Sequence, residues 1–247
     1  MKCILLCAGY STDENLKLRE TASSLTLINN KPLVNYTIEA LDDIEVIDEI
    51  YLVTNGVYYE KFLEWNQQFS FSTKITIIND NTSSSEAKLG AIGDIRYTIN
   101  CANIEEDIMV LAGDIYFDFD LEDFVNYYLA KGQSVVAGMD TDDKELLTKT
   151  GVIEEKNNVI IGMQEKPLEP KGNIVSLAAY IYTSDILRDF DEYLSEGNKT
   201  TYPGYFLEYL YRFKPINVYK IEGSFYDVKS RQSIEKIECI ISNSFDK

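Results

Sequence analysis

Lys2-Cys3-Ile4-Leu5-Leu6-Cys7-Ala8-Gly9 is a short apolar run that ends on a glycine and passes into a polar loop, and the rest of the chain is read from it. A strand buried on both faces has this composition, and the turn after such a strand is where alternating strand-helix proteins receive phosphate. Further runs rich in Ile, Val and Leu occupy residues 49–55, 74–79, 107–113 and 134–139. Amphipathic stretches at 33–42, 57–68, 84–101 and 120–131 separate them, the third opened by serines that can cap free backbone amides. The alternation predicts an α/β fold, a doubly wound and mainly parallel twisted sheet with ligands gathered at the carboxyl ends of its strands.

After Thr150 the pattern changes to short strands joined by turns, with Asn157-Asn158 as a hairpin turn between two apolar runs. A strand at 174–182, helices at 184–195 and 203–213, a strand at 216–222 and a last helix at 230–242 complete the expectation. These elements read as a small antiparallel extension of the same sheet. Residues 1–247 are therefore taken as one domain with two halves, 1–150 and 151–247.

A chain of 247 residues with 45% hydrophobic content can bury a large core, and its formal charge of -18 with no histidine excludes a broad basic face. Nucleic acid and an anionic membrane are thereby excluded as partners. A nucleotide is not, because a divalent cation and a few lysines can overturn the field locally. Cys3, Cys7, Cys101 and Cys239 show no paired spacing and there is no histidine to join them, so zinc is excluded and reduced thiols in a cytoplasmic protein are expected. No segment reaches the roughly 20 apolar residues of a membrane span. The acidic runs at 42–49 and 140–145 read as solvated faces, and the tyrosines Tyr58, Tyr59, Tyr205, Tyr209 and Tyr211 as core or rim packing.

Two nucleotide motifs fail on inspection. The dinucleotide fingerprint needs three spaced glycines, but residues 9–14 read Gly9-Tyr10-Ser11-Thr12-Asp13-Glu14; no Walker-type phosphate loop occurs either. Two aspartates stand out instead, Asp114 closing the run that starts at Asp107, and Asp227 closing Phe225-Tyr226-Asp227. Carboxylates at strand ends can hold magnesium against phosphates, although either residue alone is more often a turn or cap.

Leu5-Leu6-Cys7-Ala8-Gly9-Tyr10-Ser11-Thr12, followed by Leu25-Thr26-Leu27-Ile28-Asn29-Asn30-Lys31-Pro32-Leu33, resembles the opening of the sugar-phosphate nucleotidyltransferases. That family includes glucose-1-phosphate thymidylyl- and uridylyltransferases and phosphocholine cytidylyltransferases. Thr54-Asn55, Leu89-Gly90, Leu111-Ala112-Gly113-Asp114, Glu165-Lys166-Pro167 and Tyr226-Asp227-Val228 follow in the family's order. The resemblance implies that residues 1–150 form a nucleotide-binding half and 151–247 an acceptor-facing half. It implies that Ala8, Gly9, Tyr10, Leu89 and Gly90 receive a nucleoside triphosphate. By the same resemblance, Asp114 and Asp227 hold Mg²⁺, Glu165 meets the sugar or alcohol part of a phosphorylated acceptor, and Lys166 meets its phosphate. Asp114, Asp227 and Lys166 are then the catalytic residues of a transfer that releases pyrophosphate.

The departures from the family pattern define an alternative. Family cations fall on Asp13 and Ser23, a family glycine falls on Ala178, and another falls on Lys229. Lys17 and Arg19 are the nearby cations that could replace those lost. A catalytically impaired relative that binds a nucleotide or sugar phosphate as a regulatory subunit is thus kept beside the enzyme, with homodimerisation or an active partner subunit left open.

Overall fold

The computed structural model describes residues 1–10, 21–228 and 230–244. Asp13, Glu14, Lys17, Arg19 and Lys229, on which part of the sequence argument turned, lie outside the described residues.

The first half alternates as its hydrophobic pattern dictates. In order come β1 (Lys2–Leu6), the two-residue β2 (Leu27–Ile28) and β3 (Lys31–Pro32), α1 (Leu33–Asp42), β4 (Glu49–Thr54), α2 (Tyr59–Gln68) and β5 (Lys74–Asn79). Then follow α3 (Ala91–Ala102), β6 (Ile108–Ala112), β7 (Ile115–Asp118), α4 (Leu121–Lys131) and β8 (Val135–Asp140). The second half holds α5 (Lys144–Lys149), β9 (Gly151–Lys156), β10 (Val159–Glu165), β11 (Ile174–Tyr182), α6 (Asp189–Ser195) and α7 (Gly204–Leu210). It closes with β12 (Asn217–Lys220), β13 (Ser224–Asp227) and α8 (Arg231–Ser244).

Nine strands form one sheet in the order β5-β4-β1-β6-β11-β8-β12-β10-β9, so both halves of the chain contribute to it. β5, β4, β1 and β6 are mutually parallel, with Leu5 level with Leu52 on one side and Leu111 on the other. β11 then enters antiparallel between β6 and β8. The central run Cys3-Ile4-Leu5 is buried completely because strands flank it and helices cover both faces. One face packs Leu5, Ile38, Phe62, Trp65 and Phe124; the other packs Ile4, Ile95, Phe190 and Phe206. On the second face the Phe190 and Phe206 rings stack at 3.9 Å. Tyr58 is buried, and Tyr209 lies edge-on to Tyr193 at 5.3 Å, so these tyrosines do pack.

Local chemistry sets several boundaries. Asp120 caps α4 by accepting from the amides of Glu122 and Asp123, and Gly132 ends that helix at φ 62°. Asn157 and Asn158 adopt φ 56° and 60°, the left-handed pair that joins β9 to β10. The helix expected over 84–101 begins only at Ala91. Its cap is Gly90, not a serine, because the carbonyl of Thr200 reaches the amide of Ile92 at 3.1 Å and fixes the start from a distant segment. Glu49, expected on a solvated face, is 8% exposed on β4, with Lys74 at 2.6 Å and the Thr76 hydroxyl at 2.7 Å.

Asp227 does not close a buried strand of the main sheet. β13 pairs antiparallel with β7 in a separate two-stranded ribbon whose residues are half-buried, and β7 had no separate place in the sequence reading. Both strands are four residues long, too short for periodicity to mark them, and only their mutual pairing defines them.

Candidate active site

β1 delivers the loop that begins at Cys7. Cys7 donates its amide to Val53 at 2.8 Å, and the buried Asn55 side chain donates to the carbonyl of Ala8 at 3.0 Å. The other end of the Asn55 amide accepts from Val57 and Tyr58 at 3.0 and 3.2 Å, which locks its orientation. A Cβ on Gly9 would meet nothing within 4 Å, so nothing in the described protein requires glycine there. Gly90 differs: φ is 78° and a Cβ would lie 2.6 Å from the Thr200 carbonyl oxygen. Leu89 is half-buried beside it at the start of α3.

Tyr10 turns back from the loop, its hydroxyl 2.8 Å from Oγ1 of Thr82. Thr82 in turn bonds Asp80, just beyond β5, through its amide at 2.7 Å and its hydroxyl at 2.8 Å. Asn55, Asp80 and Thr82 were not singled out in the sequence as functional. Asn55 stood in the Thr54-Asn55 motif without a role, and only the polar composition of a strand end hinted at Asp80 and Thr82.

The ribbon brings the backbones of the two aspartates to adjoining positions. Asp227 stands opposite Ile115, and the amide of Val228 donates to the carbonyl of Asp114 at 3.3 Å. Both aspartates are half-buried. Gly113 precedes them where β6 ends against β1; a Cβ there would lie 2.9 Å from the Leu6 carbonyl oxygen and 3.2 Å from Ser24 Oγ. Burial pushes the neighbouring Cys7 thiol up to about 12, despite its bond to Ser24, so it stays a neutral packing group. Ser23, at the family lysine position, opens a single turn over Ser23–Leu25 and brings no charge. Lys149, at the end of α5, lies within the field of Asp227 and is a cation the sequence reading passed over.

Among the described residues no group of three or more His, Cys, Asp or Glu could hold a metal ion. A pair of carboxylates nonetheless fits magnesium, which keeps part of its shell for water and substrate phosphate and takes one or two protein carboxylates.

Glu165 and Lys166 lie at the end of β10. Lys166 sits at φ 49° and donates its amide to Thr150 at 3.1 Å, a left-handed position that a non-glycine residue holds at some cost. Its ammonium lies 3.3 Å from the centre of the Tyr202 ring. Glu165 is pressed against Gly204, the first residue of α7, and its amide donates to Glu208 at 3.4 Å. Burial pushes the Glu165 carboxyl up to about 7; Lys166 opposes that shift and Glu208 adds to it. Ala178, where the family carries glycine, has φ 53° at the register shift of β11 between Ser176 and Tyr180.

The sheet order and the clustered strand ends define the fold of the nucleotide-sugar pyrophosphorylases. UDP-glucose pyrophosphorylase complexed with UDP-glucose superposes with a TM-score of 0.79 at 21% identity over 98% of each chain. The UTP-bound enzyme of Acinetobacter baumannii gives 0.76 at 17% identity over 97% of this chain and 92% of that one. The nucleotidyl transferase family model matches residues 19–216, and the chain belongs to that family. Among curated relatives, the D-glycero-alpha-D-manno-heptose 1-phosphate guanylyltransferase of Campylobacter jejuni is 26% identical over 81% of this chain and 87% of its own length. The mannose-1-phosphate guanyltransferase of Gibberella zeae is 24% identical over 100% of this chain and 66% of its own. The chain spans only 51% and 41% of two archaeal relatives, from Sulfolobus acidocaldarius and Methanocaldococcus jannaschii. Among the described residues no helix is long and apolar enough to cross a membrane.

Proposed function

We propose that the protein transfers a nucleoside monophosphate from a nucleoside triphosphate to a phosphorylated sugar or small phospho-alcohol. The β7–β13 ribbon supports this reading, with Asp227 opposite Ile115 and the Val228 amide bonded to the Asp114 carbonyl just past the end of β6, which pairs with β1. An oxygen of the acceptor phosphate attacks the α-phosphorus; a P–O–P link forms, the bond to the β-phosphate breaks, and pyrophosphate leaves. No covalent enzyme intermediate is needed, so positioning and charge neutralisation supply the catalysis. Ala8, Gly9, Tyr10, Leu89 and Gly90 receive the nucleotide, and Asp114 and Asp227 hold Mg²⁺. When bound, the ion supplies neutralisation of phosphate charge. Glu165 receives a hydroxyl of the acceptor, and Lys166 leaves the Tyr202 ring for the acceptor phosphate. Relatives named for mannose 1-phosphate and a heptose 1-phosphate favour a sugar 1-phosphate in that position. A cytoplasmic location goes with substrates of this kind.

The test is pyrophosphate release across the four common nucleoside triphosphates paired with sugar 1-phosphates and phosphocholine, each with magnesium. Release from at least one pair, lost in Asp114→Asn, is the expected result. Silence across the whole panel overturns the reading.

A further inference from the structure

Thr54 ends β4 and Asn55 follows it, and both are fully buried. The Thr54 hydroxyl donates to the carbonyl of Cys7 at 3.3 Å, and Nδ2 of Asn55 donates to the carbonyl of Ala8 at 3.0 Å. The other contacts of Asn55 decide which end of its amide faces Ala8. The backbone amides of Val57 and Tyr58 can only donate, so the end they meet at 3.0 and 3.2 Å is the oxygen. The chain beyond Asn55 is anchored as well: Gly56 donates to the Thr82 carbonyl at 2.8 Å, and a Cβ on Gly56 would lie 2.9 Å from that oxygen. Asn55 is thus held in one orientation, with its donor end committed to Ala8.

A trans peptide is planar, and its C=O and N–H point to opposite sides. No cis peptide bond occurs among the described residues. The Ala8 carbonyl is turned towards the buried Asn55 side chain, so the Gly9 N–H points away from it. Ala8 is buried, Gly9 is exposed, and the space beside the Gly9 Cα is open, with nothing within 4 Å of a Cβ built there. Among the described residues no group accepts from the Gly9 amide. A loop glycine otherwise samples many backbone conformations, and fixing its peptide plane beforehand spares a ligand that ordering.

We propose that Asn55 is a positioning residue for the nucleotide: by clamping the Ala8 carbonyl it sets the Ala8–Gly9 peptide so that the Gly9 amide donates to an acceptor oxygen of the triphosphate. A neutral backbone donor suits a chain of net charge -18 with Asp13 and Ser23 at the family's cation positions. The link to the nucleotide rests on the function proposed above; the orientation of the peptide rests on the hydrogen bonds alone.

Asn55→Asp separates the two halves of the side chain. One carboxylate oxygen still accepts from Val57 and Tyr58, so the turn into α2 keeps its bonds. The other replaces the donor and faces the Ala8 carbonyl oxygen with no hydrogen between them. The variant should weaken binding of UTP or GTP with magnesium roughly 10- to 100-fold and leave the acceptor KM in pyrophosphate release unchanged. NMR on the full chain supplies a readout that a loss of packing would not. In the ligand-free protein the Ala8 carbonyl carbon resonance should move in the variant, and in the wild type the Gly9 amide proton should shift downfield when the triphosphate is added. A folded Asn55→Asp protein with unchanged triphosphate affinity, or with triphosphate and acceptor weakened alike, overturns the proposal. So does a Gly9 amide that stays in place while the wild type binds triphosphate, a result that needs no variant to fold. A wild type that binds no triphosphate, with the Ala8 carbon still moving in the variant, removes the function proposed above and leaves the peptide orientation standing.

Discussion

Gly204→Ala moves the proposed acceptor ligand Glu165 without mutating it. Gly204 is buried at the start of α7, and a Cβ there would fall on Oε2 of Glu165, with Glu165 Cδ at 2.9 Å and Met163 Cε at 3.1 Å. Both obstacles are ends of flexible side chains, so the backbone can stay. Turning the Glu165 carboxylate aside costs about 0.5–1.5 kcal/mol in rotamer energy, and alanine returns up to about 1 kcal/mol over glycine in a helix. Folding stability should thus change by about 1 kcal/mol or less, while the carboxylate leaves its position. A hydrogen bond to a charged group is worth about 1.5–3 kcal/mol, so the acceptor KM should rise roughly 10- to 150-fold. Steady-state pyrophosphate release would measure it, with the triphosphate KM as the internal control. Glu165→Ala should give a similar rise, and the double variant no more than either single. A folded Gly204→Ala protein with an unchanged acceptor KM, or with both KM values raised alike, would refute the assignment of Glu165.

Ala178→Gly should stabilise the protein by about 1 kcal/mol, because an L-residue at φ 53° carries a penalty that glycine lacks; denaturant unfolding gives the sign. Gly90→Ala should destabilise, combining φ 78° with a Cβ 2.6 Å from the Thr200 backbone oxygen, and triphosphate-induced thermal shifts should vanish with it. Glu165, raised from its ordinary value to about 7, favours the folded state at low pH. Its contribution is lost between roughly pH 4.5 and 7 at up to about 1.4 kcal/mol per unit, and Glu165→Gln should remove that slope from the pH dependence of unfolding. Asp114→Asn and Asp227→Asn should each cut pyrophosphate release by about 100-fold or more, and chelation of magnesium should stop it in the wild type.

The alternation of apolar runs and amphipathic stretches placed α1 at 33–42, β5 at 74–79 and β11 at 174–182, the spans the structure has. Those elements are legible because burial of a face imposes its period on the sequence. Asn157-Asn158 was legible for another reason, since asparagine tolerates the left-handed region that a tight hairpin needs. The start of α3 was not: its serines offered a local cap, and a carbonyl from Thr200 overrode them. Order and spacing of motifs also singled out Asp114, Asp227, Glu165 and Lys166.

Whether Asp114 and Asp227 meet was beyond the sequence, because a four-residue ribbon between distant segments has no signature until its strands pair. Asp80 and Asp94 are the sharper case. In the sequence they are one loop acid and one helix acid, each ordinarily ionised and solvated. Packing α3 against β1 and β4 removes their water, and burial first, then the nearby Asp80, pushes the Asp94 carboxyl up to about 8. Composition and periodicity fix which apolar side chains are buried; the tertiary structure fixes which charged ones are buried with them, Glu49, Asp80 and Asp94 among these.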